Sequence, residues 1–240
     1  MPIHYDRRAD GVGHILLDRP EVMNALDSPH KEALGRIWRE AAGDASIRAL
    51  VISGAGPKAF CAGSDTKAMQ RTGKMVSTAT LIDAIPNIGC ELDKPVIAAC
   101  HGYVIGFGFT LALHADFRFA AKDTQLAFPE AAYGMISGVS AVTLPHVVGH
   151  GVAMELMLSG RRIDAAEASR IGLLHAVVEG DVLAHSLAYA AKLASYPVAS
   201  VAASKHLVML ELRHQVKRYR HAIEDARIGV AEAIALDARA

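Results

Sequence analysis

The stretch from His101 to Gly134, HGYVIGFGFTLALHADFRFAAKDTQLAFPEAAYG, restricts the possible fold more than any other part of the chain. Within it FTLAL is apolar nearly all round, which places that helix-length piece in the interior rather than on the surface. Just before it, Pro95 to Cys100 (PVIAAC) is a continuous apolar run bounded by a proline and, two residues on, a glycine, and it reads as a buried strand. A buried strand, a glycine turn and the start of a buried helix leave backbone N–H groups free at a helix N-terminus, where a developing negative charge is favoured. The stretch closes on one carboxylate, Glu130, set among Phe128, Pro129, Ala131 and Ala132. A carboxylate in apolar surroundings is suited to proton transfer. The same arrangement occurs earlier. Ala49 to Ser53 (ALVIS) is an apolar strand that runs through GAGPKAFCAGS into Asp65 and a short helical piece, TKAM. Two such units can aim two backbone donors at one oxygen, although each glycine turn by itself also has an ordinary steric explanation.

The remaining elements follow in order. Ile3 to Arg8 and Val12 to Asp18 form a hairpin around Asp10-Gly11. Asp27 or Ser28 caps a helix with Pro29 in its first turn, Leu34, Ile37, Trp38 and Ala41 on its apolar face, and Gly43 at its end. From Arg71 to Asp93 the polar RTGKMVSTAT reads as a mobile loop, and Leu81, Ile82 and Ile85 suggest a helix interrupted by Pro86 and Gly89. Strands are expected at Phe117 to Ala120, Gln125 to Phe128 and Leu174 to Val178, with helices at Ser140 to Val148 and Val152 to Leu158 and a third capped by Asp164 and stopped at Gly172. Beyond Val182 only helix signals remain, with Pro197 opening a new helix and apolar faces at Val198 to Leu212 and Ile223 to Leu236. Periodicity alone gives an α/β chain.

At 240 residues, 52% of them apolar, the chain suits one domain with a sizeable core. Lys plus Arg and Asp plus Glu number 25 each, so there is no electrostatic case for nucleic acid or an anionic membrane. The three cysteines, Cys61, Cys90 and Cys100, are odd in number and lack a C-x-x-C pair, which argues for a reducing cytosol. The start, MPIHYDRRADG, has no apolar signal-peptide core, and no apolar run reaches transmembrane length.

Other motifs compete for a functional role. GAGPKA at Gly54 to Ala59 follows a strand and matches G-x-G-x-x-A, but Pro57 opposes the helix a dinucleotide site needs, and Lys74 to Ala79 carries no acid. His146 and His150 stand four apart without a third ligand, so no metal site is expected. His101, His114 and Asp116 read as structural residues beside the central stretch, and Ser64 has no histidine partner visible in sequence. The basic run RHQVKRYRH at Arg213 to His221, with Glu224 and Asp225 on the next turn, reads as a solvated, salt-paired helix face.

Taken together, DRPEVMNAL (Asp18 to Leu26), AFCAGSD (Ala59 to Asp65), PVIAACHGYVIGFG (Pro95 to Gly108), PEAAYG (Pro129 to Gly134) and AMELMLSGRRIDAAEASRIGLLHAVV (Ala153 to Val178) resemble the crotonase superfamily, the enoyl-CoA hydratase/isomerase family. The resemblance covers about residues 12–180. It implies an α/β fold, the crotonase-like ββα spiral, over residues 1–190, with a C-terminal helical trimerisation region over residues 191–240. It implies a cytoplasmic homotrimer or hexamer acting on an acyl-CoA, with coenzyme A as part of the substrate and no covalently bound cofactor or metal. Carried over residue by residue, the oxyanion donors are the backbone N–H groups of Ser64 and Phe107, and the acid–base residue is Glu130. Val22, Met23 and Ala25, the segment Ala62, Gly63, Ser64, Asp65 and Thr66, and Gly106 match positions that hold the CoA and thioester. Hydratases of the family carry a second glutamate where this chain has Thr110, which can only hydrogen-bond. That departure implies a Δ3,Δ2-enoyl-CoA isomerase type of reaction, for which one carboxylate suffices. The alternatives are a hydratase with a non-standard second group and a weakly active acyl-CoA-binding relative. Thioester hydrolases and dehalogenases of the family place an Asp at the position of Gly138.

Overall fold

The computed structural model describes residues 3–72 and 75–237. The expected loop over residues 71–80 therefore lies in part outside the described residues, at Gly73 and Lys74, as do Met1 and Pro2 of the N-terminal segment and the last three residues of the C-terminal region. Strands β1 (Ile3–Arg7) and β2 (Val12–Leu17) form the expected hairpin, with Ile3 opposite Leu17. A 3-10 turn, Pro20–Val22, leads to α1 (Ser28–Gly43), whose N-cap is Asp27, its side chain accepting from the His30 amide. Leu34, Ile37, Trp38 and Ala41 are buried as the period predicts, and the Trp38 indole donates to Ala84 O at 2.8 Å.

From there the chain repeats a strand–strand–helix course. The first round is β3 (Ala49–Gly54), β4 (Ala59–Cys61) and the short helices α2 (Thr66–Thr72) and α3 (Thr78–Asp83). The second is β5 (Val96–Cys100), β6 (Tyr103–Ile105) and α4 (Phe107–Leu113). The third is β7 (Phe117–Ala121), β8 (Gln125–Ala127), a 3-10 turn at Glu130–Tyr133, then α5 (Gly138–Thr143), α6 (Pro145–Val148) and α7 (His150–Ser159). The chain ends with β9 (Ile163–Asp164), α8 (Ala165–Arg170), β10 (Ala176–Val178), α9 (Val182–Ala194) and α10 (Val198–Asp237).

The first strand of each round enters a six-stranded sheet ordered β1-β2-β3-β5-β7-β10. The second strand enters a four-stranded sheet ordered β4-β6-β8-β9. This alternation is the ββα spiral. β3 and β5 pair in parallel, Leu50 with Val96 through Ser53 with Ala99, and both are apolar without alternation because parallel strands are covered on both faces. The FTLAL helix, α4, is buried along its whole length, and Phe109 stacks on Phe128 with ring centroids 4.1 Å apart. Fully burying such a ring is worth about 1.5–3 kcal/mol.

Three expectations are corrected. The two apolar-faced C-terminal helices are one helix of 40 residues, α10. The intervening RHQVKRYRH has no helix breaker, and its Val216 is buried. Nor is that run wholly solvated. Arg213 turns inward and donates to Asn87 O and Leu92 O, both at 3.3 Å. The single helix expected over Ser140 to Val148 divides into α5 and α6, where Pro145 cannot donate to the preceding turn.

Candidate active site

The spiral brings the two glycine loops together from β4 and β6, which are neighbours in the smaller sheet. Gly63 makes that approach possible. Its φ is +97°, and a Cβ there would lie 2.8 Å from Ile105 O and 3.2 Å from Phe107 N. Leu26 N–H donates to Gly63 O at 2.8 Å and Leu26 O accepts from Asp65 N–H at 3.0 Å, so the Ser64 peptide between them faces away from Leu26. Among the described residues, neither the Ser64 nor the Phe107 amide has an acceptor. Both residues border a cavity of about 750 Å³.

Glu130 enters the same cavity from the 3-10 turn after β8. Its Oε1 accepts from Ser137 Oγ at 2.5 Å, and its Oε2 is buried and, among the described residues, without a partner. Burial pushes the carboxyl pKa up from its ordinary value, and the Ser137 hydrogen bond opposes that rise. Gly106, at φ +54°, lets the backbone lie against the carboxylate, for a Cβ there would stand 2.9 Å from Oε1.

Thr110 borders the cavity from α4 but is only 4% exposed. Its hydroxyl donates to Gly106 O at 3.3 Å and pairs with Ser140 Oγ at 2.9 Å. Apolar side chains also line the cavity, among them Val76, Leu81, Ile82, Ile85 and Val139. Ile223, Arg227 and Val230 of α10 complete the wall. Arg227 anchors that helix by donating to Thr78 Oγ1 at 2.5 Å and Val76 O at 2.8 Å.

The residues matched to CoA binding divide. Ala62, Gly63, Ser64, Thr66 and Gly106 border the cavity. Val22, Met23 and Ala25 do not, but stand beside its rim: Met23 O accepts from Ala62 N–H at 2.9 Å. Asp65 is buried, pairs with Arg19 at 3.3 Å and accepts from Ala68 N–H at 2.9 Å, so its side chain organises the loop and does not face the cavity. His101 ties the loops together through Gly56 O at 2.8 Å. His114 is buried between Thr110 O and Thr143 Oγ1, and burial takes its imidazole down to about 4.

Two residues at the site were missed in the sequence. Ser137 lies seven positions beyond Glu130 and reaches it only because the chain turns back after the 3-10 turn. Lys31 is 0% exposed and donates to Leu26 O at 2.9 Å and Ser64 Oγ at 3.0 Å. A signal for it existed: Lys31 stands three residues before Leu34 and seven before Trp38, a charge on the apolar stripe of α1.

Comparison with known proteins converges on one family. A sequence profile described as "Enoyl-CoA hydratase/isomerase" matches residues 7–228. An (E)-benzylidenesuccinyl-CoA hydratase from Thauera aromatica is 36% identical over 202 residues, which cover 83% of this chain and 79% of that protein. A carnitinyl-CoA dehydratase from Citrobacter koseri is 34% identical over 194 residues, 77% of this chain and 70% of that one. Among solved structures, an enoyl-CoA hydratase/isomerase from Xanthobacter autotrophicus Py2 has a TM-score of 0.86 at 27% identity, covering 96% of this chain and 87% of its own. A carnitinyl-CoA dehydratase from Mycobacterium avium 104 has a TM-score of 0.84 at 30% identity, covering 96% and 92%.

Proposed function

Because this chain belongs to the enoyl-CoA hydratase/isomerase family, we propose that it isomerises a 3-enoyl-CoA to a 2-enoyl-CoA with Glu130 as its single acid–base residue. The thioester oxygen accepts from the Ser64 and Phe107 amides, which polarise the carbonyl and hold the enolate oxygen. Glu130 takes a proton from C2, the electron pair passes through the enolate, and the same carboxyl returns a proton at C4. The carbon skeleton and the CoA are unchanged. Removing one oxyanion donor typically costs about 2.7–4 kcal/mol of barrier. The observation that carries this reading is that Glu130 borders the cavity with its Oε2 buried and, among the described residues, without a partner. A carboxylate held by one oxygen keeps the other free of a competing hydrogen bond when it takes the substrate proton.

Hydration is the second reading, favoured by relatives named hydratase and dehydratase. It requires a second group to position water. Thr110 is the residue at the hydratase position, and its hydroxyl is already engaged by Gly106 O and Ser140. Incubation with 3-enoyl- and 2-enoyl-CoA thioesters of several chain lengths, followed by mass analysis, separates the readings. Isomerisation leaves the mass unchanged and creates the absorbance of a conjugated thioester, whereas hydration adds water. Glu130→Gln abolishes the reaction and leaves CoA binding within a few-fold. Binding without turnover in the wild type would mark an acyl-CoA-binding relative.

The adenine end of the CoA is assigned to the rim at Val22 to Ala25. Residues 191–240 are assigned to assembly of a homotrimer or a dimer of trimers, supported by apolar side chains left open on α10, among them Leu207 at 67% and Val208 at 79% exposure. Light scattering at micromolar concentration tests this, and a monomer would overturn it. Among the described residues no helix is long and apolar enough to cross a membrane. The three cysteines are free, which supports a reducing, cytoplasmic setting.

A further inference from the structure

Lys31 has no part in the chemistry above, yet its ammonium touches both halves of the thioester-holding site. From α1 it reaches Ser64 Oγ at 3.0 Å and lies 5.0 Å from the centre of the Phe107 ring. Its other hydrogen bond is to Leu26 O, the carbonyl that fixes the Ser64 loop through Asp65 N–H. The charged and titratable groups facing it come from four places. Asp27 caps its own helix, Cys61 is on β4, Asp65 follows β4, and Arg227 comes from α10. None of them neutralises it by contact. Asp27 is engaged by His30 and Asp65 by Arg19. The Cys61 thiol is buried and pushed up to about 11, so it is uncharged at neutral pH. Among the described residues no carboxylate stands within ion-pair distance of Lys31.

A buried cation without a paired anion is costly, and packing alone would be served better by methionine or leucine. The cost is offset when negative charge develops beside the cation, in a dry site where such a charge acts strongly. The region where the proposed reaction develops that charge is the one bounded by the Ser64 and Phe107 amides. We propose that Lys31 is a buried cation of the oxyanion site, a positioning residue that acts through Ser64 and Phe107 to stabilise negative charge on the thioester oxygen. This rests on the oxyanion reading given above.

The role carries a pH signature. Burial lowers the Lys31 pKa from 10.5 to about 8. The charge is present at neutral pH and disappears on moderate alkalinisation, so polarisation of the bound thioester declines there. Folding stability moves the opposite way. Between about 8 and 10.5 the unfolded chain keeps a proton the folded chain has lost, so stability rises with pH in that window. A lysine with a merely structural role changes stability and leaves polarisation untouched.

The test uses 4-(dimethylamino)cinnamoyl-CoA, a chromophoric thioester whose absorbance moves to the red as its carbonyl is polarised. Bound to wild type, the probe is expected to show a red shift at pH 7 that falls away toward pH 9.5 with a midpoint near the Lys31 transition. Lys31→Met is expected to bind the probe within about threefold, to show a smaller red shift without that transition, and to lose kcat roughly ten- to hundredfold, less than loss of a direct oxyanion donor. Should Lys31→Met fail to fold by circular dichroism, the wild-type titration decides alone. A red shift that does not vary over that pH range, or one that folded Lys31→Met retains in full, overturns the role of Lys31. Binding to wild type with no red shift at any pH removes the oxyanion reading itself and the role of Lys31 with it.

Discussion

Ser137→Ala tests how the protein holds Glu130, its proposed acid–base residue. The serine hydroxyl lies 2.5 Å from Glu130 Oε1, Oε2 has no partner among the described residues, and the Gly106 backbone leaves no room for a side chain beside them. Two effects on the carboxyl therefore oppose each other: burial, which is the larger, raises its pKa, and the serine hydrogen bond lowers it. A hydrogen bond to a charged group is worth about 1.5–3 kcal/mol net. Alanine removes that stabilisation from the ionised form and leaves the cost of burial in place. One pKa unit corresponds to about 1.36 kcal/mol, so the acid limb of kcat/KM moves to higher pH, and the rate well below the limb falls roughly tenfold or more. On the alkaline side of the limb the base is ionised in both proteins, and the rates stay within a few-fold. Stability follows the same sign. The folded-state value lies above the unfolded one, so stability is lost as pH rises through the folded value, and Ser137→Ala moves that loss to higher pH. The assay is a pH profile of kcat/KM on the preferred enoyl-CoA, with circular dichroism to verify folding. An acid limb that does not move, or that moves to lower pH, would refute the assignment of Ser137 as the group that keeps Glu130 ionised.

Four further outcomes are expected. Thr110→Glu raises hydration of crotonyl-CoA on the order of tenfold, because general acid–base groups contribute about 10²–10⁴-fold only when well placed; the exchange also breaks the Thr110–Ser140 pair, and a slower variant beside a wild type that already hydrates well contradicts it. Gly106→Ala gives a folded protein with strongly reduced kcat, since its Cβ meets the movable Glu130 carboxylate. Gly63→Ala meets the fixed Ile105 carbonyl instead and costs more in Tm; equal kcat for Gly106→Ala and wild type counts against this geometry. Asp116→Ala lowers the stability measured in urea by about 3–5 kcal/mol, because it leaves Lys205 without its 2.6 Å partner in the interior and the Val96 amide without its 2.7 Å acceptor; a loss under 1 kcal/mol would make the pair superficial.

The long apolar strands and the α4 helix were legible in the chain because their burial is nearly complete, and continuous apolar runs survive any tertiary arrangement. The cap at Asp27 and the glycines at residues 63 and 106 were legible because local backbone geometry demands those residue types. Glu130 stood out as a charge in an apolar setting, within motifs that already pointed to the family. The three-residue strands β4 and β6 and the two-residue β9 were not legible, since so few residues show no period and their partners are distant in sequence. The continuity of α10 escaped for the opposite reason: a charged stretch that forms helix well looks like a break when only apolar faces are followed. The contacts that would set the proposed chemistry were decided by tertiary structure alone. The Ser64 and Phe107 loops meet because parallel pairing places β4 beside β6. Ser137 reaches Glu130 through a chain reversal, and α10 closes the cavity from the other end of the sequence. Lys31 shows the division within one residue. Its place on the buried stripe of α1 is written in the spacing, but what its ammonium touches depends on a loop 33 residues away, and no local pattern specifies that distance.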